Sequence, residues 1–268
     1  MTMLGVLLIS LVGGTVYDKA PADVDAYLQA LTTTEPTFVE RFTHVVKDAV
    51  GTPYADGPLG EGPQGTYDTD PLMDLSRVDC VTFVEQSVAL ATAGDTHEAE
   101  AKLQLLRYAD GQIDFATRNH FMLVDWIPNN PWCLDTTATL GVPTAKVTRT
   151  ISKSAFFKLV KAPTLGQDIP DRDVTITYVP SANVAAAEAR LREPTLVVFL
   201  GTVDWLFSLH CGIYLPDGNG GGALYHASSK AGNVSVTDLS DYVAGQGKRY
   251  IGITTYTITS PLTTSAAG

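Results

Sequence analysis

Hydrophobic residues in the first half of the chain recur every three or four positions, which is the spacing of one helix face. In residues 37–50, Phe38, Phe42, Val45 and Val46 fall on such a stripe, while charged residues occupy the opposite face. The same reasoning predicts further helices at residues 21–31, 80–92, 96–108 and 152–160.

Beyond residue 170 the pattern changes to short apolar or alternating runs between turn residues, which is typical of strands. These runs predict strands at residues 174–179, 195–200, 207–215, 223–227, 233–236 and 248–258, with helices at 182–191 and 238–243. Between residues 111 and 170 the periodicity is mixed, and we expect strands near residues 114–124. Helices followed by strands predict an α+β domain with a helix packed on an antiparallel sheet.

The length and composition favour one elaborated domain, because 268 residues, 45% of them hydrophobic, can bury a substantial core. We place this domain at residues 17–258, with an insertion at about residues 111–180 and a flexible tail at residues 259–268. Residues 1–16 are apolar like a signal-peptide core but lack a preceding Lys or Arg, and a buried terminal element is the alternative. No segment has the about 18 uninterrupted apolar residues of an integral membrane span.

The formal net charge of −11 limits the partners that the chain can bind. A strongly acidic protein repels phosphate groups, and no cluster of Lys and Arg stands out to neutralise them. We therefore expect neither nucleic acid nor an anionic membrane surface as a partner.

Three cysteines in a chain of this length do not form a disulfide framework, and the odd number leaves at least one thiol free unless it pairs between chains. A bridge between Cys133 and Cys211 would leave Cys80 as the free thiol. Cys211 lies in an apolar strand, however, and a small buried hydrophobic side chain is the simpler interpretation.

Cys80 is the cysteine best placed for reactivity, because it follows a good N-cap residue, Asp79, at the start of a predicted helix. The positive end of the helix dipole and the free amides of the first turn stabilise an anion, so the position favours the thiolate. The same amides can bind the oxyanion of a tetrahedral intermediate. A structural cysteine is more often found in the middle of the buried stripe.

Two histidines fall on one face of a predicted β-hairpin. Side chains alternate along the strand at residues 207–215, so His210 and Gly212 share a face. A hairpin centred on Asn219 places His226 opposite Gly212, whose missing side chain leaves room for the second ring. In this geometry His210 takes the proton of the cysteine thiol, and His226 fixes the tautomer of His210 through a hydrogen bond.

A cluster of polar and aromatic side chains between residues 118 and 132 suits a sugar, because aromatic faces cover C–H surfaces and amides bind hydroxyl groups. Its members are Arg118, Asn119, Asp125 and Trp126, together with Asn129, Asn130 and Trp132. We expect this cluster to bind substrate, and an ordered loop with surface tryptophans is the alternative.

Four short segments, in this order, resemble the NlpC-type papain-fold cell-wall hydrolases. They are Gly-Thr-Pro-Tyr at residues 51–54, Asp-Cys at 79–80, His-Cys-Gly-Ile-Tyr at 210–214 and His-Ala-Ser at 226–228. Residues 57–61, 80–85 and 118–121 with 125–126 resemble an N-acetylmuramoyl-L-alanine amidase-like branch of that superfamily. The likeness covers roughly residues 38–256. Cys211 departs from it, since the family usually has Val at this position.

The resemblance implies a papain-like core in which the helix bearing Cys80 packs against a central antiparallel sheet. It implies that Cys80 is the nucleophile, His210 the base and His226 the orienting residue. The Tyr54 hydroxyl would lie near the oxyanion, and packing of Tyr54 under a proline turn is the alternative. The implied activity is hydrolysis of the N-acetylmuramoyl-L-alanine bond of peptidoglycan fragments (muropeptides) through an acyl-enzyme, without a metal or other cofactor. We expect a monomer in the cell envelope or periplasm, the cytoplasm being the alternative.

The sequence leaves other functions open. A cysteine endopeptidase acting on peptidoglycan stem peptides would use the same residues. A zinc amidase with two ligands among Cys80, His120, His210 and His226 lacks the spacing of the usual zinc motifs. A wall-binding module without turnover is a further alternative. So is a transglutaminase-like transferase, which usually has Asp where this chain has His226.

Overall fold

The N-terminal half of the computed structural model consists mainly of helices. The structure describes Tyr17 and residues 19–259, so the expectations for residues 1–16 and for most of the C-terminal tail lie outside the described residues. The helices of this half are α1 (Pro21–Thr34), α2 (Phe38–Asp48), α3 (Cys80–Thr92) and α4 (Thr96–Arg107). Each confirms a helix that the hydrophobic spacing predicts.

Side chains set the starts of these helices by satisfying the free amides of the first turn. Thr37 and Glu40 form a reciprocal capping box at the start of α2. Asp95 caps α4, since its carboxylate accepts a hydrogen bond of 2.8 Å from the Glu98 amide. Helix α2 packs against α3, and its predicted stripe is buried: Phe38, Phe42, Val45 and Val46.

The second half of the chain supplies the sheet. Its strands are β1 (Cys133–Asp135), β2 (Ala145–Ile151), β3 (Arg172–Pro180), β4 (Thr195–Gly201), β5 (Ser208–Pro216), β6 (Gly222–Ser228), β7 (Asn233–Thr237) and β8 (Tyr250–Ile258). Short helices lie between them: α5 (Ile127–Asn129), α6 (Lys153–Leu159), α7 (Val184–Glu188) and α8 (Leu239–Gly245). The six predicted strands beyond residue 170 are all present, as β3 to β8.

The strands form one antiparallel sheet in the order β2-β3-β8-β4-β5-β6-β7, with β1 paired to β8. One face packs on α1 to α4 through residues such as Val198, Cys211 and Ile213. The other face packs on α7 and α8 through residues that include Phe199 and Tyr214. Helix α3 lies between α2, α4 and the sheet, which explains why residues 82–91 are all buried. The α+β class with an antiparallel sheet is confirmed.

The segment before the sheet differs from the prediction. Residues 114–124 do not form the expected strand; the apolar run enters a π-helical turn, Met122–Trp126, that continues into α5. A short run that is apolar on every side suits a buried helix as well as a strand, so periodicity does not separate the two. The unpredicted strand β2 has no apolar stripe, because most of its positions lie on an exposed edge of the sheet.

The Gly- and Pro-rich segment between α2 and α3 is an ordered loop. Arg107 donates hydrogen bonds to the carbonyl oxygens of Gly60 (3.2 Å) and Leu72 (3.4 Å). The Tyr108 hydroxyl donates to the Gly60 carbonyl at 2.9 Å. Arg118 forms ion pairs with two further residues of the loop, Glu61 and Asp68. Side chains from α4 and the segment after it therefore hold the loop that leads into Cys80.

Strands β2 and β3 overlap the proposed insertion at residues 111–180 and join the sheet through the pairing of β3 with β8. The limits of the insertion and of the domain stay predictions. No helix within residues 19–259 is both long and apolar enough to cross a bilayer.

Candidate active site

Asp79 fixes the point at which α3 begins, and this places Cys80 in the first helical turn. Its carboxylate accepts hydrogen bonds from the amides of Val81 (2.9 Å) and Thr82 (2.7 Å). The Thr82 hydroxyl accepts a hydrogen bond from the Asp79 amide at 2.8 Å, which completes a capping box. Burial and the neighbouring charge of Cys80 raise the pKa of the Asp79 carboxyl to about 6, against the opposing effect of these hydrogen bonds.

The surroundings of Cys80 favour its thiolate form. A hydrogen bond with Cys211, together with a hydrogen bond to His210 and the charge of that ring, lowers the pKa of Cys80 well below its usual range. Burial acts in the opposite direction but does not prevail. Cys80 as a whole residue is half-buried, whereas Cys133 and Cys211 are buried.

The strands β5 and β6 bring two imidazoles into contact. His210 Nε2 lies 2.9 Å from His226 Nδ1, and the two rings stand nearly perpendicular, at 83°. The pairing of Ile213 with Tyr225 centres the hairpin on Asn219, as the sequence predicts. His210 and His226 thus lie on one face and within hydrogen-bond distance.

Gly212 is the residue that permits this approach. A Cβ atom at this position would lie 2.9 Å from the Cβ atom of His226 and 2.8 Å from the carbonyl oxygen of Tyr225. Such separations are too short for non-bonded atoms. The absence of a side chain at residue 212 therefore allows the second ring to fit beside the first.

His226 is held in its neutral form. Burial, followed by the charge of His210, lowers the pKa of His226 to about 3. A neutral imidazole has one nitrogen that donates a hydrogen bond and one that accepts. Since Nε2 of His210 is engaged with His226, Nδ1 of His210 is the ring nitrogen left for the thiol.

An aromatic cluster covers both imidazoles. The ring of Tyr242, on α8, lies 4.6 Å from that of His226 and 5.7 Å from that of His210, measured between centroids. Phe199 lies 5.5 Å from His210. The hydroxyls of Tyr242 and Tyr250 are 3.3 Å apart. Tyr242 could not be predicted from the sequence, because α8 reaches the site only through tertiary packing.

Tyr54 lies at the same site. Its amide donates a hydrogen bond of 2.9 Å to the Gly232 carbonyl, and its backbone pairs with that of Val78, close to the start of α3. Burial, followed by the charges of Cys80 and Asp56, raises the pKa of Tyr54 to about 12. A hydrogen bond between the side chains of Tyr54 and Asp56 acts in the same direction, and the hydroxyl therefore keeps its proton.

The predicted sugar-binding cluster is mainly interior structure, which corrects the expectation for Asn119 and Trp126. Trp126 is completely buried, and its indole N–H donates to Glu85 at 2.9 Å. The side-chain amides of Asn119 and Asn130 both donate to the Leu106 carbonyl, at 3.0 and 3.1 Å. With its ring faces covered, Trp126 has no surface to offer a sugar.

The two charged members of that cluster are partly exposed and already paired. Arg118 bonds to Glu61 and Asp68, while Asp125 forms an ion pair with Lys153 and accepts a hydrogen bond from the Phe121 amide. These pairs anchor the loop before α3 and the π-helical turn. A role for Arg118 and Asp125 in substrate binding stays a prediction.

The structure contains no disulfide among Cys80, Cys133 and Cys211, all of which lie in its described part. The considered bridge from Cys133 to Cys211 is wrong, because β8 and β4 stand between their strands. Three strand spacings amount to about 14 Å, far beyond the reach of a disulfide. Cys211 instead donates a hydrogen bond of 3.1 Å to the Cys80 carbonyl.

His120, named as a possible zinc ligand, lies in a separate aromatic cluster. Its Nε2 bonds to the Phe115 carbonyl at 2.7 Å, and its ring packs on Phe115 and Phe156. Among residues 19–259, no three His, Cys, Asp or Glu side chains are arranged to hold a metal ion. His120 is therefore not part of a site with three or more such ligands, and a zinc site with only two of the four named residues stays untested.

Known structures share this fold over most of its length. A protein from Legionella pneumophila has 20% sequence identity and a TM-score of 0.80, and the match covers 90% of this chain and 95% of that one. An N-acetylmuramoyl-L-alanine amidase from Bacteroides uniformis has 21% identity and a TM-score of 0.66, covering 83% and 99%. A provisionally named xylanase from Bacteroides fragilis has 25% identity and a TM-score of 0.62, covering 79% and 98%. At these identities the likeness is one of fold.

None of the curated proteins matches the chain in sequence. Residues 44–251, by contrast, match the model of the N-acetylmuramoyl-L-alanine amidase-like (AmiA-like) proteins. The matched segment contains Tyr54, Cys80, His210 and His226. Because it makes up well over half of the chain, the protein belongs to the N-acetylmuramoyl-L-alanine amidase-like family.

Proposed function

We propose that the protein is a cysteine amidase that hydrolyses the bond between the muramyl lactyl group and L-alanine in peptidoglycan fragments. The observation that carries the proposal is the hydrogen bond of 2.9 Å between His210 and His226 beside the thiol of Cys80. A nucleophile, a base and a residue that orients the base are the parts of a hydrolytic triad. Membership of the amidase-like family supports the choice of the bond that is cleaved. The proposal includes a papain-like arrangement of the helix bearing Cys80 against the sheet.

In the first half of the reaction, His210 holds the proton of Cys80 on Nδ1 and donates from Nε2 to the neutral His226. The thiolate attacks the lactyl carbonyl carbon, and the carbonyl oxygen becomes an oxyanion. His210 then protonates the nitrogen of L-alanine as the C–N bond breaks, which leaves a thioester on Cys80. Burial of His226 serves this step, because a protonated His226 could not accept the hydrogen bond.

The second half of the reaction uses the same groups. His210 removes a proton from a water molecule, the water oxygen attacks the thioester carbonyl, and the C–S bond breaks. The products are a free lactyl carboxylate and the restored thiolate–imidazolium pair. No metal is needed to activate the water, because the thioester is reactive enough for a base of this kind.

The hydrogen bonds of the first turn of α3 limit which groups can donate to the oxyanion. The amides of Val81 and Thr82 donate to Asp79, so they are engaged in the cap and are not the donors that the sequence suggests. The Cys80 amide stands at the first helical position, where a helix offers no acceptor of its own. We assign the oxyanion to the Cys80 amide and the Tyr54 hydroxyl.

The test is hydrolysis of defined muropeptides by the wild type and by a Cys80→Ala variant, with the products identified by mass spectrometry. We expect free L-alanyl peptide and free muramyl sugar from the wild type, and a loss of at least about 1,000-fold for Cys80→Ala. Cys133→Ala is the matched control, since it removes a buried thiol distant from the site.

Two results would contradict the proposal. Unchanged turnover by Cys80→Ala would exclude a thiol nucleophile. Cleavage within the stem peptide would assign the same residues to an endopeptidase, and cleavage of a glycan such as xylan would require carboxylate chemistry instead. Product identity therefore separates the amidase from its competitors.

A further inference from the structure

Two thiols meet at the start of α3. Cys211 lies on the face of β5 that packs against α3, and its Sγ atom is 3.1 Å from the carbonyl oxygen of Cys80. Cys211 is fully buried, whereas Cys80 is partly exposed. Neither takes part in a disulfide. The two side chains also share a hydrogen bond, so the sulfur of Cys80 has a second, buried sulfur beside it.

The two thiols differ in their protonation. The pKa of Cys80 lies well below its usual range, whereas the hydrogen bond with Cys80, burial and the charge of Cys80 raise the pKa of Cys211 well above it. The surroundings of the pair thus favour the thiolate on Cys80 and the protonated thiol on Cys211. A peroxide reacts with thiolates and enters from solvent, so it reaches Cys80 first.

We propose that Cys80 and Cys211 form a site of reversible oxidation, in which a hydroperoxide oxidises Cys80 and Cys211 closes on it as a disulfide. This goes beyond hydrolysis and shares with the proposed function only the reactivity of Cys80. Low-pKa accessible cysteines with a resolving cysteine beside them are the usual form of such sites.

The first step is attack of the Cys80 thiolate on one oxygen of the hydroperoxide. The S–O bond forms, the O–O bond breaks, and the second oxygen leaves as hydroxide or alkoxide and takes up a proton. The sulfur loses two electrons to the peroxide and becomes a sulfenic acid. Its negative charge disappears, which removes one of the causes that keep Cys211 protonated.

The second step is attack of Cys211, as its thiolate, on the sulfur of the sulfenic acid. The S–S bond forms, the S–O bond breaks, and the hydroxide that leaves combines with the proton of Cys211 to give water. An added dithiol reverses the reaction by exchange and returns both cysteines to the reduced form. Cys80 is thereby protected from oxidation to the sulfinic acid, which thiols do not reverse.

The test treats the folded full-length protein with hydrogen peroxide and follows it by intact mass and peptide mapping. We expect the wild type to lose two hydrogen atoms and to yield one linked pair of peptides, containing Cys80 and Cys211. After addition of dithiothreitol, Cys80 regains its reaction with iodoacetamide. Cys211→Val should gain oxygen atoms instead and should lose most of that recovery. Cys133→Ala is the matched control and should behave as the wild type.

Oxygen gain without a linked peptide in the wild type, or equal recovery in Cys211→Val, would overturn the proposal. Thermal unfolding of each variant establishes that it folds. If Cys211→Val does not fold, peptide mapping of the oxidised wild type decides whether the disulfide forms. All readouts are masses and alkylation, so they do not depend on muropeptide hydrolysis. An amidase without the disulfide, and a disulfide without amidase activity, are thus distinct results.

Discussion

His120 and His226 show how two similar histidines differ in what they can do. His226 is buried and His120 is half-buried, and desolvation lowers the pKa of each to about 3. His120 bonds to a backbone carbonyl among phenylalanine rings, a partner that cannot change its protonation. His226 bonds to another imidazole beside a thiol. Desolvation keeps both histidines neutral. The hydrogen-bond partner of each ring then determines whether the neutral imidazole can take part in proton transfer or only in packing.

Substitution of the two histidines gives the largest contrast. We expect His226→Ala to lower kcat for muropeptide hydrolysis by roughly 100-fold, because His210 loses the group that orients it. His120→Ala should leave kcat nearly unchanged and lower the free energy of unfolding by about 2–3 kcal/mol through the lost packing. Steady-state kinetics and urea unfolding of both variants check this. Equal losses of kcat in His226→Ala and His120→Ala would show that the two histidines do not differ in their importance for hydrolysis.

Gly212→Ala tests how closely the two imidazoles must approach. The new Cβ would overlap the Cβ of His226 and the Tyr225 carbonyl, so β6 must move. We expect kcat to fall by about tenfold and stability by about 1–3 kcal/mol. Gly245→Ala is the control, since a Cβ there meets nothing within 4 Å. Unaltered kcat in Gly212→Ala would mean that the contact of the rings does not matter.

Acid unfolding should report on both histidines. Because each folded-state pKa of about 3 lies below the unfolded value of about 6.5, only the unfolded chain binds these protons between the two values. Stability therefore falls as the pH drops through this window, by up to about 1.4 kcal/mol per pH unit for each histidine.

Asp79 opposes this trend, since its raised pKa of about 6 makes the folded state bind a proton more readily. Comparison of wild type with His120→Gln isolates one histidine from this effect. The slope of unfolding free energy against pH should be smaller in the variant between pH about 3 and 6.5. Identical slopes would show that His120 does not stay neutral in the folded state.

The smallest expected effect concerns Tyr242, whose ring covers both imidazoles of the site. Tyr242→Ala would admit water and move the pKa of His226 upward from about 3. Because His226 accepts a hydrogen bond only when neutral, the acid limb of kcat against pH should shift to higher pH, by about half a unit. Tyr242→Phe keeps the ring and should not shift the limb. An equal shift of the acid limb in Tyr242→Phe would assign the effect to the hydroxyl and not to the ring.

The parts of the fold that local sequence determines could be predicted. The N-cap Asp79 sets the start of α3 from one residue away, and the turn centred on Asn219 sets the register that brings His226 to Gly212. These signals need no knowledge of the rest of the chain, because caps and hairpin turns act over a few residues.

The parts that depend on packing could not be predicted. Trp126 and Asn119 look like a polar aromatic surface in sequence, yet their partners, Glu85 and the Leu106 carbonyl, lie on other helices. The donors for the oxyanion could not be predicted for a similar reason. The carboxylate of the N-cap Asp79 accepts from the amides of Val81 and Thr82, which the sequence had left available for a substrate. The contact of Cys211 with Cys80 could not be predicted either, because strand alternation places residue 211 on the opposite face from His210 and only the packing of α3 on that face brings the two cysteines together.

Strand β5 presents a base, His210, and a thiol, Cys211, at consecutive positions. A β-bulge in its pairing with β4 lies directly before them. Phe199 pairs with His210 but Leu200 pairs with Ser208, so Leu209 is the one residue of β5 left without an opposite number. Without Leu209, Ser208 and His210 would be adjacent and the same two pairs would form a regular ladder. The bulge therefore adds one residue to this end of β5 while His210 and Cys211 keep the faces on which they lie, so we expect this end of the strand to tolerate a change in length better than residues 210–216 do.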